Sequence, residues 1–334
     1  MKLNFVSKIL IFINLILLIL QLFLMGTFWD FYRFPFLNLM VPFFALINMF
    51  FFIYWVINFK WPFLLFVFSV LIGFKEWGKL YKLPNNAIPV SNGIKVMSFN
   101  VRLFNSYKWI DTKEVPEAIE KFIQKESPDL VCLQEYSKDF SPEFNNYPYR
   151  YIKPSKKNGQ NGLCILSKYK LFNSRYIGFE KSNNSAIHAD FFYKMDTVRI
   201  YNVHLESLSI NLNDTLFTKK NSQKFLERIQ SVIEKQQSQI EQFEKVDQKN
   251  KYPTIICTDL NNNAFSQPYN LLKENRHDAF ALSGGGLGST YKLAYFPFRI
   301  DFIFTDSKFN VINFTTHDLR LSDHKPISAL LEWK

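Results

Sequence analysis

The sequence predicts an α/β fold in which two β-sheets pack together with helices outside, preceded by an apolar helical region. Three observations carry this. Of the 37 Phe in 334 residues, 17 fall within the first 90. From residue 94 onward, short runs alternate between apolar and polar positions, the period of half-buried strands. Those strands outnumber the helices between them, so helices cannot cover every strand as in a doubly wound parallel sheet, whereas two facing sheets can.

The apolar region comes first. Ile9 to Trp29 and Phe34 to Phe59 carry no charge, and Trp61 to Phe74 makes a third, shorter run. A bilayer core of ~30 Å needs about 20 apolar helical residues, which the first two runs supply. The third needs Lys60 and Lys75 to snorkel. A cleaved signal peptide is the competing reading of the first run. That run is long for such a segment, lacks a small-x-small cleavage site and is followed by another span. Residues 1–78 are therefore expected to form a membrane anchor of two to three transmembrane helices. Trp29, Tyr32, Tyr54, Trp55, Trp61 and Trp77 stand near the run ends, where amphipathic rings favour the headgroup layer. Orientation is divided. An inside N-terminus puts Lys2, Lys8 and Lys60 in the cytoplasm and the remaining domain outside, while Arg33, Lys75, Lys79 and Lys82 pull the other way.

Residues 79–93, rich in Pro, Asn and Lys, form the expected linker. Residues 94–334 form the expected soluble domain. "IKVMSFNV" begins it as a strand. Ile119, Phe122 and Ile123 then mark a helix that Ser-Pro-Asp ends. Strands follow at "LVCLQE", "YRYIK", "GLCILSK", "AIHADFFY", "TVRIYNVHLES", "TIICTDLN", "RIDFIFTD" and "ISALLEW". One long helix lies between Lys219 and Val246. Phe225, Ile229, Val232, Ile233, Ile240 and Phe243 share roughly one face of it, and its Gln- and Lys-rich remainder is expected to be solvated.

The net charge of +11 divides into +5 for residues 1–90 and +6 for the rest. A surplus of that size over the larger part is not the dense basic footprint of a nucleic-acid binder. Cys132, Cys164 and Cys257 sit in apolar strand-like runs and are expected to be buried thiols.

Polar groups recur at strand ends. Asn100 closes "VMSFN", Glu135 closes "LVCLQE", and His204 lies in "IYNVHLES". Asp259 and Asn261 close "IICTDLN", Asp301 lies in "RIDFIF", and Asp323 and His324 precede the last strand. Singly, each has a structural reading as a turn cap or a surface ion pair. Together they are the residue types that metal and phosphate chemistry requires, delivered by rigid strands.

"MSFNVRLFN", "PDLVCLQEY", "NGLCILSKYKL", "YNVHLES", "TIICTDLNNNAFSQPY", "GLGSTY", "RIDFIF" and "LSDHKP" occur in the order of the endonuclease/exonuclease/phosphatase superfamily, which has the DNase I-like fold. The chain resembles that superfamily over about residues 94–334, and within it the membrane-anchored bacterial members. The family usually has Gly where Thr258 stands, and "SLSINLNDTLFTKKN" does not align with its pattern. The resemblance implies a four-layered α/β sandwich and a metal-dependent phosphoesterase, most simply a phosphodiesterase. Its location would be the bacterial cytoplasmic membrane, with the first helix favouring an extracytoplasmic catalytic domain.

The chemistry explains the residue types. Phosphodiesters resist hydrolysis because anionic oxygens repel a nucleophile and the alkoxide leaves poorly, which a hard cation counters. Mg²⁺ (or Mn²⁺ in its place) needs only one or two carboxylates because it keeps several waters. Glu135 is the expected ligand, with Asn100 supplying its amide oxygen or orienting the carboxylate and Asp323 completing the set. By resemblance, Asp301 pairs with His324, which acts as base or as a cation on the phosphoryl oxygen. Asp259 positions water or protonates the leaving oxygen, and His204 and Asn261 hydrogen-bond the phosphate.

Arg102, Arg299 and the "SGGGLGSTY" loop with Tyr291 are weaker candidates for substrate contacts. His188 and His277 are expected to be structural, and His317 has no assigned role. No Walker or Rossmann pattern is present. The substrate is expected to be a nucleic acid or a lipid head group, with no protein partner implied. The reading from another class is a non-catalytic membrane-tethered binding module, whose mark would be the loss of residues such as Glu135, Asp259 or His324.

Overall fold

The computed structural model describes residues 4–26, 35–84, 93–154, 161–209, 219–293 and 296–334. Lys2, Trp29, Tyr32 and Arg33, most of the expected linker (85–92) and most of the segment after His204 (210–218) lie outside the described residues.

Among the described residues five helices come first: α1 (Phe5–Leu24), α2 (Pro35–Leu39), α3 (Val41–Ile57), α4 (Phe63–Ile72) and α5 (Phe74–Leu80). Asn4 caps α1, its side chain accepting from the Ser7 N–H at 2.8 Å, the usual way to satisfy a free helix-start donor. Among the described residues α1 is the one helix long and apolar enough to cross a membrane; α3 and α4 are apolar but shorter. The bundle of α1, α3 and α4 is polar within. Asn14 donates to Asn48 at 3.1 Å, Asn48 to Gln21 at 2.6 Å, and the Trp55 indole to Asn14 at 3.3 Å, all buried. Its exposed surface carries Phe12, Ile16, Ile47, Phe50 and Phe68.

The bundle docks on the rest of the molecule. Leu24, Met25 and Val41 pack against Phe265. Asn263 donates to the Asn38 and Leu39 carbonyls, each at 3.1 Å. Lys79, at the end of α5, is buried over the Phe265 and Tyr269 rings, paired with Glu76, and its carbonyl accepts from Arg299.

Fourteen strands follow among the described residues, twelve of them in two sheets. The first sheet holds β1 (Ile94–Asn100), β2 (Leu130–Tyr136), β3 (Tyr149–Pro154), β4 (Gly162–Ser167), β13 (Phe309–Thr316) and β14 (Ile327–Trp333), in the order β13-β14-β1-β2-β4-β3. The second holds β5 (Phe172–Gly178), β6 (Ser185–Tyr193), β7 (Asp196–His204), β8 (Thr254–Asp259), β9 (His277–Asp278) and β12 (Asp301–Thr305), in the order β5-β6-β7-β8-β12-β9. A hairpin of β10 (Tyr291–Leu293) and β11 (Phe296–Phe298) stands apart. Each sheet is mixed, with one parallel pair, β1–β2 and β7–β8.

The inner faces share one apolar core, including Ile94, Val96, Ile165, Ile187, Ile200, Ile255 and Ile303. Asn202 bridges the sheets within it, donating to the Leu133 and Cys164 carbonyls and accepting from Gln134 at 2.7 Å. Helix α6 (Val115–Glu126) buries Ile119 and Ile123 on the outer face of the first sheet. Helices α7 (Lys219–Asp247) and α8 (Gln267–Lys273) bury Ile240, Phe243 and Leu272 on that of the second. This is the four-layered DNase I-like sandwich. The short α9 (Ala279–Ser283) packs near β13. The three cysteines are free and buried.

One expectation for α7 needs correction. Gln236 and Gln239 are buried, not solvated. Gln236 donates to the Glu206 carbonyl at 2.7 Å and accepts from Asn262 at 2.8 Å, and Gln239 accepts from the Glu206 N–H at 3.0 Å. These amides replace the partners that two loop segments would otherwise lack, so at these two positions α7 acts as a clamp, while Gln223, Lys224, Gln230 and Lys245 are exposed as expected.

His188 is structural, as expected. It is 2% exposed beside the Tyr201 ring. Burial, helped by Arg199, lowers its pKa to about 4. The unfolded chain therefore takes up a proton that the folded chain refuses, and stability falls as pH drops from about 6.5 toward 4. The full contribution is roughly 3 kcal/mol. His188→Phe should shrink the drop in thermal midpoint between pH 7.5 and 4.5; an unchanged drop would remove His188 as a cause.

Candidate active site

The register of the second sheet builds half the site. Parallel pairing of β7 with β8 sets His204 opposite Asp259, and antiparallel pairing of β12 with β8 sets Asp301 opposite the same residue. Three polar side chains thus stand in a row at one sheet end. Asp259 is fully buried, Asp301 is 2% exposed and His204 is 7% exposed. His204 Nε2 lies 3.5 Å from Asp259 Oδ2.

The first sheet supplies the facing half. Asn100 ends β1, and its Nδ2 donates both to Glu135 Oε1 at 3.1 Å and to Asp259 Oδ2 at 2.9 Å, spanning the two sheets. Its Oδ1 accepts from the Arg102 N–H at 3.0 Å. Of the two roles open to Asn100, this rotamer favours orienting the carboxylate. Glu135 sits at a register shift between β2 and β4 with a φ of 49°. A bulge re-aims a side chain, and a left-handed φ on a non-glycine residue costs about 1–3 kcal/mol. That strain turns Glu135 toward the rim.

The loop before β14 closes the ring. Ser322 Oγ donates to the Asn100 carbonyl at 2.8 Å. His324 Nδ1 lies 3.0 Å from Asp301 Oδ2, and its Nε2 lies 3.8 Å from Asp259 Oδ2. Thr290 braces this pairing: its Oγ1 accepts from the Ile300 and Asp301 N–H groups, and its carbonyl accepts from the Lys325 N–H. The His of "LSDHKP" thus meets a partner 23 residues earlier.

Electrostatics separate the two central groups. Burial opposes a charge on His324, but Asp301 and Asp259 outweigh it and raise the pKa to about 10. Burial raises the pKa of Asp259, the nearby His324 opposing and Asp301 adding to the shift. At neutral pH the imidazole is a cation held against carboxylates.

All eight expected residues meet at one rim, with differences of detail. Asn261, at φ 52°, donates its side-chain amide to the Leu205 carbonyl and its N–H to Asp259 Oδ1 at 3.0 Å. In this arrangement it shapes the loop and holds the Asp259 carboxylate. Asp323 turns to Arg102 at 3.3 Å, whose guanidinium stacks on Trp109 at 4.0 Å. Glu135, Asn261, Asp323 and His324 line one cavity of about 330 Å³, with Tyr291 beside the His324 ring at 5.1 Å. Arg299 is removed from it, buried in an ion pair with Asp278. His317 meets Ser328 and the Phe122 ring.

Sequence reasoning missed the opposite wall of that cavity. Phe36, Leu39, Met40 and Phe43, from α2 and the start of α3, line it too. Nothing in an uncharged run distinguishes a residue facing lipid from one facing a cleft.

A model of the Endonuclease/Exonuclease/phosphatase family matches residues 97–324. Among solved structures, the chain is similar to the human Nocturnin catalytic domain with bound sulfate anion, at 20% identity and a TM-score of 0.55, covering 75% of this chain and 97% of that one. It is similar to an endonuclease/exonuclease/phosphatase from Bacteroides vulgatus, at 18% identity and 0.57, covering 73% and 100%. It is also similar to humanized D. rerio TDP2 carrying 14 mutations, at 17% identity and 0.54, covering 72% and 100%. At these identities the likeness establishes the fold. No curated protein matches the chain in sequence.

Proposed function

The chain belongs to the endonuclease/exonuclease/phosphatase family, and on that premise we propose that it is a membrane-anchored, divalent-cation-dependent phosphodiester hydrolase. The single observation that carries this reading is the continuous path from Glu135 through Asn100 and Asp259 to His324 and Asp301.

The donor set fits a hard cation such as Mg²⁺, or Mn²⁺ in its place. Glu135 is a half-buried carboxylate at an open rim, oriented by Asn100, with Asp323 on the same cavity. Asp259, Asp301 and His324 also bring ligand atoms within 4.8 Å of one another. All three are buried and the His324 Nδ1 is engaged by Asp301, which leaves little room for the waters Mg²⁺ retains. Glu135 is therefore the better holder. When bound, the cation would offset charge on the phosphoryl and leaving oxygens.

The protein's own groups divide the remaining work. His324, cationic at neutral pH, donates to a phosphoryl oxygen, with His204 beside it. Asp259, its carboxylate held by Asn100 and the Asn261 N–H, orients water and takes its proton. The water oxygen bonds to phosphorus, one P–O ester bond breaks, and the proton passes to the leaving oxygen. Base strength rises with pKa, so the burial of Asp259 suits this role.

Membrane attachment rests on the inverted bundle. Polar Asn14, Gln21 and Asn48 pair inside while Phe12, Ile16 and Phe50 face outward, the arrangement that suits a hydrocarbon solvent. Helices α1, α3 and α4 would form the anchor, residues 1–78, and residues 94–334 the catalytic domain. Protease accessibility in sealed vesicles would assign its face.

The test is the purified full chain on bis(p-nitrophenyl) phosphate with Mg²⁺ and with chelator. Turnover indifferent to chelation would defeat the reading. The His324 cation adds a pH signature. Its raised pKa means the charged form persists below about 10 and is lost above it, so activity should fall on the alkaline side. Asp301→Asn removes the neighbouring carboxylate and should bring that limb down toward neutrality. A limb that stays in place would exclude the role given to His324. The binding-module alternative gains nothing from the site, since Glu135, Asp259 and His324 are all present.

A further inference from the structure

The cavity that reaches His324 has two unlike walls. One is catalytic, with Glu135, Asn261, Asp323 and His324; the other is apolar, with Phe36, Leu39, Met40, Phe43, Leu293 and Phe298. Among the described residues that line it, none is Lys or Arg. A groove for a polyanion needs cations spaced along it to meet successive phosphates. This cavity offers a place for one phosphate and, next to it, a hydrocarbon surface.

The apolar wall also leads somewhere. Phe43 packs on Phe296 and Phe298 at ring distances of 4.5 and 5.7 Å. Along α3, Ile47, Phe50 and Tyr54 follow Phe43 at helical spacing on the same face, and all three are exposed. The stripe continues from the cavity onto the outer surface of the bundle. That surface is the one the membrane reading places in lipid, so the wall of the site and the acyl layer are continuous.

Resting on the phosphodiesterase reading above, we propose that the substrate is a membrane amphiphile: a phosphodiester whose hydrocarbon tail lies along Phe36, Met40 and Phe43 while its phosphate meets His324. Water adds across one P–O ester bond, giving one alcohol and one phosphomonoester, and the tail stays on the side of the membrane helices. The wall selects for a single phosphate carried on an apolar chain and against a polymer of phosphates.

The experiment compares p-nitrophenyl octyl phosphate with p-nitrophenyl methyl phosphate on the full chain in one detergent, with Mg²⁺. The octyl ester should have the higher kcat/KM by about tenfold or more, the scale expected when two or three methylenes leave water for protein. Met40→Glu and Phe43→Ser should each lower the octyl-to-methyl ratio toward the micelle background. Because the ratio is read within one preparation, loss of folded protein cancels. Equal rates on both esters, or a ratio unmoved by both variants, would overturn the tail site while leaving the hydrolase reading intact. Faster cleavage of a DNA or RNA oligonucleotide than of the octyl ester would overturn it in favour of nucleic acid. No hydrolysis of either ester would defeat the hydrolase reading and the tail site with it.

Discussion

Asp259→Asn should lower kcat on an activated phosphodiester by about 10³-fold or more, the range of general acid–base help with the loss of a charge added. The substitution keeps shape and removes a proton acceptor. Asp259 is fully buried and touches five groups of the site: Asn100, His204, His324, the Asn261 N–H and, across the strand pair, Asp301. An amide keeps a single acceptor oxygen, so it can accept from Asn100 or from the Asn261 N–H but not from both, since these reach different oxygens of Asp259. It cannot take the water's proton, and its NH₂ would face the Asn261 N–H in one orientation or Asn100 and the two histidines in the other. The thermal midpoint should fall as well, because one buried donor loses its acceptor and His324 loses one of its two carboxylates, a loss partly offset because burial already works against the charge of this carboxyl. The check is kcat alongside the thermal midpoint. Activity within tenfold of the parent would show that Asp259 does not handle the proton.

The second large effect concerns the cation. Glu135→Gln should reduce turnover at saturating substrate by roughly 10³-fold at ordinary Mg²⁺ concentrations, because Glu135 is the carboxylate that Asn100 orients at the rim while Asp323 is turned to Arg102. Asn100→Ala should act differently. It removes the donor at 3.1 Å that aims Glu135 and the one at 2.9 Å that holds Asp259. Loss of such an outer partner typically weakens metal affinity by about 10–100-fold. Its Mg²⁺ activation curve should therefore shift to higher concentration, with part of the rate recovered there, whereas excess Mg²⁺ should not rescue Glu135→Gln. Isothermal titration with Mn²⁺ gives a readout that does not depend on turnover. If Glu135→Gln binds Mn²⁺ as the parent does, the cation sits elsewhere, and the buried Asp259, Asp301 and His324 group becomes the place to look.

Much of the fold is legible in the sequence because burial imposes a period on it. Strands such as Leu130–Tyr136 and Thr254–Asp259 are near-continuous apolar runs covered on both faces, and they end in the polar residues of the site. Weakly patterned elements escaped. Phe172–Gly178 is an edge strand with exposed alternate positions, and Phe309–Thr316 carries a bulge between Val311 and Asn313 that breaks its alternation. The amide clamp of α7 escaped too, since a buried Gln with partners looks like a solvated one until those partners are seen.

By itself the sequence determined the sandwich, the apolar region ahead of it and the residue types of the proposed site, since composition and period follow directly from which side chains leave water. Tertiary structure decided the rest. Pairing register, a long-range property, set His204, Asp259 and Asp301 abreast. A strained bulge aimed Glu135, a loop 23 residues away from Asp301 brought His324 to it, and the docking of the helical bundle put Phe43 across the cleft from them. These are contacts between segments distant along the chain, and their free energies depend on geometry that no local pattern records.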